Sequence, residues 1–172
     1  MKNATKFLVI TVLGLAFSAS TFAQVTATAT ATANIVAPIA IANATDMNFG
    51  NVAVSGAPGT VVLDPAGTRT RTGGVTLPAV GGTVTAATFN VTGNGSATYT
   101  IAVTPASVVI NNGATTMAVG SWVTNPNPTG LLSGGGAQTV QVGATLSVNG
   151  GQLPGTYTTV PGNEFSVTVN YN

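Results

Sequence analysis

From residue 24 onward the chain alternates. Apolar and polar residues exchange places at every second position, the residue types are β-branched, aromatic or small, and no 3.6-residue helical period is sustained. The pattern predicts strands over 60–64, 74–80, 87–92, 97–104, 107–110, 116–123, 139–148 and 164–171. Turn chemistry separates them, because Gly93-Asn94-Gly95, Asn111-Asn112-Gly113 and Asn149-Gly150-Gly151 supply residues tolerant of positive φ. This spacing of short strands and turns indicates an all-β chain folded as a two-sheet sandwich. Two connections are longer: 65–73, and 124–136 with its Asn-Pro-Asn-Pro and triple glycine. Both read as solvated loops.

The most regular stretch opens this region. Every odd position from Val25 to Ile41 is apolar, while Thr or Asn fills the even positions up to Asn34. As a strand, 25–37 carries one apolar face made by Val25, Ala27, Ala29, Ala31, Ala33 and Ile35. Periodicity allows two uses for it: the first strand of its own sandwich, or a strand completed into a groove on the next subunit. The four alanines make the contact shallow, so backbone hydrogen bonds supply much of the hold in either case. The C-terminal strand is comparable, with Phe165, Val167, Val169 and Tyr171 on one face and Ser166, Thr168 and Asn170 on the other.

Ahead of this region, Lys2 and Lys6 flank a polar start and precede an apolar run over 7–17 that is shorter than the roughly 20 residues a membrane helix needs. Thr21 and Ala23 then suit the small positions of a cleavage site before Gln24. The reading is a secretory signal peptide over 1–23, an alternating segment over 24–37 and a β-sandwich domain over 38–172. It makes the protein secreted and leaves no membrane span after cleavage. Removal of the leader takes both lysines, leaving Arg69 and Arg71 against Asp46, Asp64 and Glu164, a side-chain charge of −1. Such a surface favours association over dispersion.

The chain has no cysteine and no histidine, which excludes thiol chemistry, disulfides, imidazole acid–base catalysis and most zinc sites. The three carboxylates share no local motif, so no enzyme, cofactor or metal is expected. Arg69 and Arg71 stand two apart and would share one side of an extended segment, where they could meet an anion; two arginines are far too few for nucleic acid. Trp122 belongs to the core or its edge, with sugar stacking as the alternative.

Three segments carry a resemblance. The alternating segment, the turn Met47-Asn48-Phe49-Gly50, and Leu153-Pro154-Gly155-Thr156-Tyr157 ahead of the final Phe-Ser-Val-Thr-Val-Asn-Tyr-Asn together resemble the bacterial family called domain of unknown function 4402. That family in turn looks like spore coat protein U and the archaic chaperone–usher pilins. The resemblance implies an immunoglobulin-like sandwich lacking one strand, a periplasmic chaperone, an outer-membrane usher, and polymerisation with identical or related subunits by donor-strand complementation. It implies Val25 to Ala37 as the donor and Phe165 to Tyr171 as the strand a chaperone recognises. One departure is plain: archaic pilins carry a disulfide after the donor segment, and here Ala37-Pro38 stands in a chain without cysteine. The expected function is a structural subunit of a surface fimbria or biofilm matrix. The alternative is a monomeric secreted binding module for a glycan or surface, with Trp122 and 124–136 as its site.

Overall fold

A computed structural model describes residues 24–172, so the expected leader over 1–23 lies outside the described residues. Residues 24–34 belong to one unit and 35–172 to a second. Among the described residues of the first, 24–34, no strand forms in the single chain, and residues 35–39 are likewise without regular structure. A strand needs a backbone partner, and alternation alone supplies none.

The described part of the second unit is all strand and turn. It contains β1 (Ala40–Thr45), β2 (Ala53–Leu63), β3 (Arg69–Thr76), β4 (Ala87–Thr92), β5 (Thr98–Thr104), β6 (Ser107–Asn111), β7 (Thr116–Asn125), β8 (Thr129–Leu131), β9 (Ala137–Val148), β10 (Thr158–Thr159) and β11 (Ser166–Tyr171). Eight strands form a curled sheet in the order β1-β4-β9-β7-β6-β10, with β2 joining β9 and β3 joining β2; β11-β5-β8 form a second sheet.

The curl comes from β9. Residues 137–142 of this strand pair with β4, residues 144–148 pair with β2 on that same edge, and β7 follows the opposite edge along most of its length. Its even residues Val140, Val142, Ala144, Leu146 and Val148 are all buried. The first two join one core cluster with Phe89, Val91, Tyr99, Leu132, Val167 and Val169, and the last three join a second with Val61, Val75, Val108 and Val119. Trp122 and Phe165 pack against both clusters, their rings stacked at 4.5 Å, and Phe89 meets Phe165 edge-on at 6.3 Å.

Two expected loops are partly strand. Residues 69–73 belong to β3, and 124–136 contains the end of β7 and all of β8. The expected strand over 74–80 starts earlier and ends at Thr76. At the β4–β5 turn the positive φ falls on Ser96 rather than on Gly93, Asn94 or Gly95.

Candidate functional site

Among the described residues, β1 bonds to β4 along one edge and has no ladder on the other; β11 bonds to β5 and is likewise unpaired on its far edge. The two open edges approach each other without a backbone ladder between them. Below them lies the first core cluster, to which β1 contributes Ile41 and β11 contributes Val167 and Val169, with Ile39 and Tyr171 packed at the margins. The alternation read from the C-terminal sequence is therefore real: Val167 and Val169 are buried, Phe165 and Tyr171 half-buried, and Ser166, Thr168 and Asn170 exposed.

At one end of these edges the Tyr171 hydroxyl donates to the carbonyl of Ala37 at 2.9 Å and accepts the Asn94 N–H at 2.6 Å. It thereby fastens the chain leading into β1 to the end of β11. Ahead of that fastening, Ile35 is 96% exposed and Val36 48%. Ile35 belongs by its unit to the domain and by its phase to the alternating segment. Val25, Ala27, Ala29, Ala31 and Ala33, the rest of the expected donor face, are exposed and form no strand.

The open edge of β3 is different. Arg69 pairs in register with buried Leu63 and Arg71 with buried Val61, so both arginines start from the core-facing side of this edge strand. They share a side, as their spacing predicts, yet each guanidinium is engaged by the backbone. Arg69 Nη1 donates to the carbonyls of Phe49 and Asn51, and Arg71 Nη1 donates to the carbonyl of Val75. Inward-directed charge on an edge strand opposes pairing with another chain. Neither β1 nor β11 contains a charged residue.

The motif residues are structural. Asn48 exchanges both backbone hydrogen bonds with Thr85, and its side chain accepts the Gly50 N–H at 2.8 Å. Gly50 has φ +66°, and a Cβ there would lie 2.3 Å from the carbonyl oxygen of Gly81. Arg69 caps the same turn from outside. Tyr157 donates its hydroxyl to the Leu153 carbonyl at 2.8 Å, so the Thr115 hydroxyl donates to the tyrosine oxygen. Sequence reasoning recognised these motifs without recognising what they hold, and the signal was the glycine and tyrosine at their ends.

The remaining candidates are locally engaged. The Trp122 indole N–H donates to the Pro105 carbonyl at 2.7 Å while one ring face lies on Phe165. Asp64 accepts the Thr68 N–H, Glu164 the Gly162 N–H and Asp46 the Asn43 amide, so each carboxylate closes a nearby turn. Among the described residues, no three of His, Cys, Asp and Glu gather as metal ligands would.

Fold and edges together define a two-sheet all-β domain, its larger sheet curled and two uncharged strand edges left open side by side. The chain belongs to the family described as Domain of unknown function (DUF4402), whose model matches residues 39–171. No curated protein and no solved structure matches it.

Proposed function

We propose that the protein is a non-enzymatic structural subunit of a secreted surface fibre, a fimbria or biofilm matrix, which polymerises by lending residues 25–37 as a β-strand to the next subunit. The observation that carries this reading is the pair of neighbouring open edges on β1 and β11 above an apolar cluster, in a chain whose alternating segment forms no strand. A strand added to these edges, which would have to draw apart where they approach, would pair with their free backbone groups and turn its alanine face towards Ile41, Val167 and Val169. The charges on β3 favour the same choice of edge, since they guard one opening and leave the other two free.

In this reading the domain is an immunoglobulin-like sandwich short of one strand. The Tyr157 hydroxyl reaching back to the Leu153 carbonyl is similar to the tyrosine corner of such sandwiches. The resemblance to spore coat protein U and archaic pilins adds a periplasmic chaperone, holding Phe165 to Tyr171, and an outer-membrane usher as partners.

The test is a sheared surface fraction from native cells, run unheated and boiled on denaturing gels. A ladder that collapses to one band on boiling is expected, because a chain without cysteine can form such polymers only non-covalently. A single monomer band in the unheated lane would overturn strand donation.

A further inference from the structure

The alternating segment has a property that the open edges make consequential. From Thr26 to Ala33 it repeats Thr-Ala four times, so sliding it by two residues returns alanine to every alanine position and threonine to every threonine position. A one-residue slip would turn the apolar face outward and is excluded by the alternation itself. A two-residue slip, which moves the strand about 6.6 Å along its axis, changes nothing within the repeat. Alanine methyls are too small to distinguish one shallow site from the next.

Only the ends of the segment break this degeneracy. Val25 stands at the outer end, beside the free terminus expected after leader removal, where a strand frays most readily. Ile35 stands at the inner end, two residues before the carbonyl of Ala37 that Tyr171 holds. Its side chain is 96% exposed in the isolated chain, an aliphatic group unburied at the point where the segment leaves its own domain. Burying isoleucine yields far more than burying alanine, so one register, with Ile35 covered, is favoured over those that leave it in water.

We propose that Ile35 is the residue that sets the register of the donated strand, locking an otherwise repetitive segment into one position against β11 of a second copy. The inference rests on the strand-donation reading and adds the residue that gives it a single geometry. Polymers without that lock contain subunits offset by two residues, and therefore mixed spacings along one fibre.

The absence of native cysteine gives a direct test. Thr26→Cys, Thr28→Cys, Thr30→Cys and Thr32→Cys are each combined with Thr168→Cys, whose position is exposed on β11. Assembled polymers of the full chain are oxidised mildly, boiled without reductant and run on gels, since a disulfide forms only where Cα atoms come within about 7 Å. In the parent, one of the four positions is expected to give most of the crosslinked dimer. Ile35→Ala is expected to divide that yield between at least two positions two residues apart, and Ile35→Val to restore a single position.

A single position retained in Ile35→Ala polymers would overturn the role of Ile35 while leaving strand donation standing. No crosslinked dimer at any of the four positions, or crosslinks that run only as monomer, would overturn both.

Discussion

Tyr171 and Gly93 fit as a pair: a Cβ on Gly93 would lie 2.2 Å from the Tyr171 hydroxyl oxygen, so the glycine is the space the tyrosine needs to reach Ala37 and Asn94. Tyr171→Phe removes both hydrogen bonds but keeps the ring. A loss of about 1–2 kcal/mol is expected in denaturant unfolding. Gly93→Ala displaces the ring as well and is expected to cost more. Equal stability of both variants and the parent would show that this fastening contributes nothing.

Gly50 and Arg69 hold one turn from two sides. Gly50→Ala combines a left-handed backbone with a backbone clash at Gly81, and a loss of about 2 kcal/mol or more is expected. Arg69→Ala leaves the carbonyls of Phe49 and Asn51 without their charged donor, and should cost about 1.5–3 kcal/mol. Melting temperatures of the two variants check both figures.

Tyr99 makes stability fall in alkali. Its ring is fully buried, its hydroxyl donates to Gln138 Oε1 at 2.7 Å, and burial raises its pKa above the ordinary 10.0. The unfolded chain ionises this group near 10.0 while the folded chain keeps the proton. The contribution is therefore complete below pH 10 and is lost as pH rises through the folded value. Tyr99→Phe should be about 1 kcal/mol less stable at neutral pH and should flatten the alkaline decline; an unchanged slope between pH 9 and 11 would refute the assignment.

Past the expected leader, trypsin has only Arg69 and Arg71 to cut after, and both lie in β3 with their guanidinium groups bonded to backbone carbonyls. Native protein should survive digestion that destroys the heat-unfolded chain. Rapid cleavage of the native form would mean that β3 opens readily. Arg71→Thr should expose an unguarded edge and increase light scattering at a given concentration.

Ala31→Asp tests the proposed strand donation. An unpaired carboxylate is costly to bury, so polymers should disappear while secretion continues. Normal polymers from this variant would show that the face is not inserted into a neighbour.

Where alternation came from burial, the sequence was legible: β4 matches its expected bounds, and β5, β6, β7, β9 and β11 fall within two residues of theirs. Elements held by backbone pairing left no such mark. β1 is Ala-Ile-Ala-Asn-Ala-Thr, with one large apolar residue, and the start of β3 is Arg-Thr-Arg-Thr, whose polarity reads as loop although its arginines share the face of buried Leu63 and Val61. β8 lies within a Pro-rich stretch that argued against a strand. In the sequence Gly93 has the look of a turn former, but it serves as clearance for Tyr171, a demand set by a residue 78 positions away. The terminal strands were visible as apolar faces, whereas the open edges depend on which strands do not pair, and periodicity carries no information about that.

The path of β9 also governs how much of the chain must be present before the fold can close. Both core clusters draw on this one strand, so neither can close without residues 137–148, and the cluster beneath β1 needs β11 as well. Pairings as distant as Ala40 with Thr92 and Gly59 with Val148 place this topology among the slow folders. The pairs β2–β3 and β6–β7 need only neighbouring stretches of chain, whereas commitment to the native state comes almost all at once, when β9 joins them.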